Sequence, residues 1–142
     1  MKEYRKYLIR TATQQVVSEA DDTGVITLGT PPTAGNGGTL TLLTVSVPSG
    51  GLLLVSEIDV FSSAGATFLA SYSYSVPGQT QPIAGSKYYY LAAAGFLPDV
   101  QSIDKPIISM LNLSTDSVNF TITVPASVTT TVYGANIRYA IV

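Results

Sequence analysis

Two stretches near the carboxyl end constrain the fold more than any other part of the chain. In Val118-Asn119-Phe120-Thr121-Ile122-Thr123-Val124 every second residue is apolar and those between are polar. That period of two belongs to a half-buried β-strand, not to a helix. Pro125 interrupts the pattern. It resumes with Tyr133, Ala135, Ile137, Tyr139 and Ile141 on one face and Gly134, Asn136, Arg138 and Ala140 on the other. Strand pattern carried to the last residues predicts a strand inserted in its sheet, because frayed tails are rarely apolar. The two stretches together predict a pair at the centre of one antiparallel sheet.

Upstream the same pattern recurs at short intervals. Leu43, Val45 and Val47 alternate with Thr44 and Ser46 until Pro48-Ser49-Gly50-Gly51 turns the chain. Leu52 to Phe61 is apolar on both faces at its start, then offers Ile58 and Val60 on one face and Glu57 and Asp59 on the other. Phe68, Ala70, Tyr72, Tyr74 and Val76 alternate with Leu69, Ser71, Ser73 and Ser75. Val47-Pro48, Val76-Pro77 and Val124-Pro125 share a strand exit in which proline cannot donate to the ladder. Tyr88 to Leu91 and Pro106 to Leu113 read as further strands, and Ala92 to Asp104 as a loop or short helical turn. About eight strands with no helix of consequence predict an all-β fold, a jelly-roll-like β-sandwich of antiparallel strands.

With 142 residues the chain is sized for one domain, able to bury roughly 70% of its unfolded surface. Residues 1–22 differ in composition from the remainder and read as an extended N-terminal arm, with residues 23–142 as the β-sandwich body. Tyr4, Tyr7 and Leu8 have helical spacing, which allows a turn or two of helix. Gln14 to Ser18 suits a short strand, and Asp21-Asp22-Thr23-Gly24 is turn chemistry before Val25 to Leu28. Thr30 to Thr39 holds two prolines, three glycines and an Asn-Gly step, and reads as a loop. It lacks the Gly-Lys-Ser/Thr ending and following helix of a phosphate cradle.

Composition narrows the chemistry. Without Cys or His, thiol catalysis, thiolate metal sites, Ser-His-Asp chemistry and His-based proton transfer are excluded. Charged residues are 11% of the chain, against about 25% in ordinary soluble domains. The 15 serines and 17 threonines supply the polarity instead. Half of the charged residues lie in the first 22 positions, so the body has 8 in 120 residues. A surface so sparsely charged is expected to be covered by partners, as in a homo-oligomer, with a trimer expected here. No apolar run reaches membrane-spanning length, and Tyr7-Leu8-Ile9 is too short for the core of a secretion signal. The product is therefore expected to stay in the cytoplasm where it is made or to join a particle assembled there.

Glu57 and Asp59 project from one strand face and could hold a calcium ion or act as an acid/base pair. The only other carboxylates in the body, Asp99, Asp104 and Asp116, lie in loop-like segments, where exposed carboxylates are ordinary. Tyr88, Tyr89 and Tyr90, with Tyr72 and Tyr74, could form a stacking platform for sugars or bases. They also suit any half-buried strand. With only Lys87, Lys105 and Arg138 as cations in the body, nucleic acid is not an expected partner. Asn112-Leu113-Ser114 and Asn119-Phe120-Thr121 match the glycosylation pattern, read as chance matches in a chain without a secretion signal. The chain is expected not to be an enzyme, and no metal, cofactor, small-molecule substrate or membrane partner is expected.

A short basic arm, a Gly/Pro/Thr-rich loop, a Ser/Thr-faced β-body, strands closing in Val-Pro and the final strand Tyr133 to Val142 together resemble the decoration (cement, auxiliary) proteins of tailed-bacteriophage capsids. The resemblance covers the whole length and is one of pattern. It implies a structural protein, often trimeric, that sits on the outside of a viral shell assembled in the host cytoplasm, bridges adjacent major capsid proteins and stabilises the particle. It implies no catalytic site. By the same resemblance Met1 to Gln15 is the docking arm, with Lys2, Arg5, Lys6, Tyr7 and Arg10 as capsid-binding residues, and Thr30 to Thr39 is a second contact. Residues 1–10 carry a net charge of +3 and residues 11–142 a net −5, so the basic arm is the part suited to an acidic lattice. Such an arm is expected to be separable, so that deleting residues 1–12 leaves the body folded. The alternative is a head-fibre or tail protein, or another carbohydrate-binding jelly-roll adhesin module.

Overall fold

The computed structural model describes the backbone of residues 2–11, 16–19, 27–29, 39–102, 104–125 and 132–142, and the side chains of 39–102, 104–124 and 133–142. The strands are β1 (Lys2–Thr11), β2 (Val16–Glu19), β3 (Thr27–Gly29), β4 (Thr39–Val47), β5 (Leu52–Ser62), β6 (Ala66–Tyr74), β7 (Ile83–Leu91), β8 (Gly95–Val100), β9 (Ile108–Leu111), β10 (Val118–Pro125) and β11 (Val132–Ile141). They form two antiparallel sheets. A seven-stranded sheet runs β3-β2-β1-β11-β5-β8, with β9 also paired to β5, and a four-stranded sheet runs β4-β10-β6-β7. The quartets β1-β11-β5-β8 and β4-β10-β6-β7 are joined by links that cross between sheets, as from β4 to β5 and from β10 to β11. That winding is a jelly roll, so the expected fold class is the observed one.

The two stretches that announced the fold are not partners in one sheet. β10 sits between β4 and β6, and β11 sits between β1 and β5 in the opposing layer. Alternation specifies which face of a strand is buried but not its neighbour. Here the two apolar faces meet across the core. Phe120, Ile122 and Val124 of β10 are buried against a layer that holds Ala135, Ile137 and Tyr139 of β11. The rings of Phe68 on β6 and Tyr133 on β11 meet edge-on, with centroids 6.3 Å apart and planes at 82°.

Two register shifts change which residues of β5 and β4 point inward. Tyr139 pairs with Val55 but Arg138 with Glu57, so Ser56 is an extra residue in β5. Before it Leu53 and Val55 point inward, and after it Ile58, Val60 and Ser62 do. The Ser56 hydroxyl donates to the Arg138 carbonyl at 3.2 Å. In β4 the shift near Ile122 leaves Leu42 as the extra residue, and Leu42 and Leu43 are both buried.

Two further expectations are corrected. Lys2–Thr11, read as an arm with helical spacing in part, is the strand β1, paired with β11 from Lys2↔Ile141 to Thr11↔Val132. The backbone hydrogen bonds of a long antiparallel ladder outweigh the weak helical preference of so short a segment. Removing residues 1–12 would therefore strip β11 of a partner. Second, the supposed loop 92–104 contains β8, whose Pro98 is tolerated because β8 is an edge strand. Asn112 is buried, 0% exposed. Its amide donates to the carbonyls of Val47 at 3.0 Å and Asp116 at 2.8 Å. Its Oδ1 accepts from the Ser114 backbone N–H and hydroxyl. Gly50, whose φ of +77° favours glycine, donates its N–H to the Asn112 carbonyl at 2.8 Å and ties the β4–β5 turn to the same knot.

Urea denaturation should separate the two Asn-x-Ser/Thr asparagines. Asn112→Ala removes the amide donor to the buried Val47 carbonyl and the acceptor of the Ser114 N–H and should cost about 2–3 kcal/mol, whereas exposed Asn119→Ala should change stability by less than about 0.5 kcal/mol. Phe120→Ala, which opens a cavity between the sheets, should cost about 3–5 kcal/mol.

Candidate functional site

The two sheets present different outer faces, and residues directly opposed in the register share a face. On the seven-stranded sheet the rows across β11, β5 and the β8 or β9 edge read Val142–Leu52–Leu111, Ala140–Leu54–Ser109, Arg138–Glu57–Val100, Asn136–Asp59–Pro98 and Gly134–Phe61–Phe96. Both ends are apolar and the middle is ionic. Phe96 is 77% exposed and Val100 61%. The Phe96 ring lies 4.7 Å from that of Phe61, a bare aromatic pair at the end of the face.

Glu57 and Asp59, singled out in the sequence, lie in the ionic middle, opposite Arg138 and Asn136. Asn136 Nδ2 donates to Asp59 Oδ2 at 3.3 Å, while Asp59 Oδ1 and Asn136 Oδ1 are buried with no hydrogen-bond partner. Among the described residues no third carboxylate joins them. Among the described residues no group of three or more His, Cys, Asp or Glu side chains is placed to hold a metal.

The outer face of the four-stranded sheet is chemically uniform. Its rows are Thr44–Thr121–Ser71–Ser86, Thr41–Thr123–Leu69–Tyr88 and, where β10 and β6 part, Ser46–Asn119 beside Ser73–Ala84. Among the described residues of this face none is formally charged. β10 is in register with β6 only over Thr121–Thr123, whereas β6 stays paired with β7 as far as Tyr74. The resulting gap is an open groove of about 470 Å³, walled by Ser71, Ser73, Ser86, Asn119 and Thr121. Ala84 and the cross-strand partners Tyr72 and Gly85 complete its lining. A Cβ on Gly85 would lie 2.7 Å from Tyr72 Cε1, so the ring occupies space that any other residue would fill. Burial, and then the neighbouring Tyr74, push the Tyr72 phenol pKa up, so it stays a neutral hydroxyl. The tyrosine run divides by strand parity: Tyr88 and Tyr90 face out, 67% and 70% exposed, and Tyr89 faces in.

Where β7 and β8 border the open side of the sandwich, one cluster ties the sheets together. Asp99, on the inward side of β8, accepts hydrogen bonds at Oδ2 from Lys87 Nζ at 2.8 Å and from the Tyr89 hydroxyl at 2.6 Å. Lys87 Nζ also lies 5.6 Å from the Tyr89 ring centroid. Burial alone would push the Asp99 carboxyl up. The hydrogen bonds from Lys87 and Tyr89 and the ammonium charge outweigh it and hold the pKa below the usual carboxylate range. The Tyr89 phenol is pushed well up by burial and then by its bond to Asp99. The cluster is a clasp, with no second reactive group beside it. Sequence reading missed it because Asp99 sat in a supposed loop, and Pro98 hid the alternation of Phe96, Pro98 and Val100 with Leu97 and Asp99.

The backbone of Lys2, Arg5, Lys6, Tyr7 and Arg10 lies on β1. Of the Thr30 to Thr39 loop, residues 30–38 lie outside the described residues, and Thr39 opens β4. Asp99 does not join Glu57 and Asp59, because it points between the sheets toward Lys87 and Tyr89.

A depressed folded pKa on Asp99 means that its stabilisation is present above the unfolded pKa and is lost as pH falls through the folded one. Thermal melts of the wild type should thus decline below about pH 4. Asp99→Asn should lower the melting temperature at neutral pH and flatten that acid limb. The raised Tyr89 pKa has the opposite consequence: its share is present below about pH 10 and lost above it, so Tyr89→Phe should blunt the alkaline decline.

No protein-family model matches the chain, and no curated protein matches it. It is similar in structure to a solved chain of infectious bursal disease virus, Gx strain, with a TM-score of 0.45 and 12% identity, covering 97% of this chain and 32% of that one. It is also similar to a chain of the Gt strain, with a TM-score of 0.35 and 15% identity over the same shares. The chain thus spans about a third of the length of the solved chains it resembles.

Proposed function

We propose that this chain is a non-enzymatic structural subunit of a viral shell, acting from the exterior as a decoration protein that bridges major capsid proteins. The observation that carries the reading is the outer face of the seven-stranded sheet. Phe96, Val100, Leu111 and Val142 are all large, apolar and 46% exposed or more on one sheet face. Exposed apolar area of this kind marks a surface with a partner. An apolar patch beside Glu57 and Arg138 suits a specific interface, where burial gives affinity and charge gives register.

The basic segment fits the same role. Lys2, Arg5, Lys6 and Arg10, with Tyr7, carry the positive end of a chain whose remainder is acidic. An acidic lattice would attract that end and repel the rest. Because β1 is already paired along its backbone, docking through it avoids the ordering cost of a free arm, about 1–2 kcal/mol per residue. A homotrimer bringing several copies of this segment to adjacent shell subunits would multiply the attachment.

Light scattering should find an oligomer at micromolar concentration, each contact burying on the order of 800 Å² per partner. Phe96→Asp should shift it toward monomer without loss of the cooperative melt. In co-sedimentation with viral shells the wild type should pellet, and a variant with Lys2, Arg5, Lys6 and Arg10 all changed to Gln should remain in the supernatant while keeping its β-sheet circular dichroism. A monomeric wild type that leaves shells undecorated would overturn the reading.

A further inference from the structure

We infer that the groove on the outer face of the four-stranded sheet is a binding site for a neutral oligosaccharide. This inference goes beyond the shell role and does not depend on it, since the groove and the apolar face lie on opposite sides of the sandwich.

The ligand class follows from the chemistry of the walls. A phosphate, a sulfate or a sialic acid carboxylate needs a cation or an array of positive dipoles to replace its water. The face carries no formal charge among its described residues, and the one cation on β7, Lys87, is engaged by Asp99 on the other side of the sheet. The walls are mixed, with Ser71, Ser73, Ser86, Thr121 and Asn119 set beside Ala84, Tyr72 and Gly85, so a ligand with both hydroxyls and C–H faces suits them better than a purely apolar one. Each serine and threonine hydroxyl both donates and accepts, and the Asn119 amide offers two donors and an acceptor. A sugar ring with several hydroxyls of the same dual character is the complementary partner. The groove volume of about 470 Å³ falls within the range of about 300–1,000 Å³ typical of ligand sites. It is open at the surface, so a longer chain can leave at either end.

The aromatic neighbours supply what hydroxyls lack. Tyr88 lies two residues from Ser86 on the same face of β7, and Tyr90 two further along. At about 7 Å per two residues of strand they form a short track leading from the groove. A pyranose presents C–H groups on one flat side, which pack on an aromatic ring while the ring hydroxyls stay wet. Rings 67% and 70% exposed on an otherwise hydroxyl-bearing sheet are placed for such stacking. All the walls stand on paired strands, with Tyr72 fitted over Gly85 beneath, so a ligand would meet a site formed in advance.

The test uses the full chain on immobilised neutral oligosaccharides terminating in glucose, galactose, mannose or N-acetylglucosamine, alongside their sulfated and sialylated counterparts. Saturation-transfer NMR with the neutral sugar bound best then reads the contact. Binding should favour neutral over charged sugars, vary little with salt, and fall at least about tenfold in Tyr88→Ala and in Asn119→Ala, while Ser109→Ala on the opposite face binds as the wild type. Melting curves establish that each variant is folded. Absence of binding to every neutral sugar, a preference for the charged ones, or full binding by folded Tyr88→Ala would each overturn the inference. If Tyr88→Ala instead abolished self-association, the face would belong to a second copy of the chain, and the inference would equally fall.

Discussion

The contact on which the rest of the molecule depends is the apolar layer between the sheets, where Phe68, Phe120 and Ile122 of the four-stranded sheet meet Leu53, Ile58, Ile137 and Tyr139 of the other. These side chains are supplied by alternating strands, most of which bury one face and expose the other, while β11 from Tyr133 to Ala140 is buried on both faces except at Arg138. The layer also forces the two bulges. Without the extra residue at Ser56, β5 could not direct Val55 and Ile58 to the same side, and one half of the strand would turn its apolar residues to solvent. A core of this kind leaves little freedom to its own members. It leaves the outer faces free to differ.

They differ in chemistry. The outer face of the seven-stranded sheet has greasy ends around Glu57, Asp59, Asn136 and Arg138, while that of the four-stranded sheet has hydroxyls, an amide and tyrosines. With few charges in the body to keep water attached, the first face suits a protein partner and the second a neutral polar one. The clasp of Lys87, Asp99 and Tyr89 lies on the side of the sandwich between them, at the edge strands β7 and β8. It links the two sheets there through the side chains of β7 and β8.

The polar residues inside are each answered by a local need. Asn112 joins the end of β4 to the turn before β10 through four hydrogen bonds, and Tyr74 sends its hydroxyl to the Leu111 carbonyl across the layer. These bonds fasten β9 and the loops at one end of the roll, where backbone carbonyls would otherwise be buried without donors. Asp59 Oδ1 and Asn136 Oδ1 are the exception among the described residues.

The sequence by itself determined the fold class, most strands of the body and the inward residues of β10, β11 and β6, because alternation is a local property written at every second position. It also determined what chemistry is missing, since absent His and Cys need no coordinates. Partnership was decided only by the tertiary structure. That β10 and β11 oppose each other across the core, that Lys2–Thr11 completes a sheet, and that Phe96-Leu97-Pro98-Asp99-Val100 is a strand all rest on pairings between residues distant in the chain. Local pattern is silent about such pairings. The groove was hidden for the same reason. It arises because β6 parts from β10 while staying with β7, so Asn119, Ser73 and Ser86, from three separate strands, surround one space that no stretch of the sequence contains.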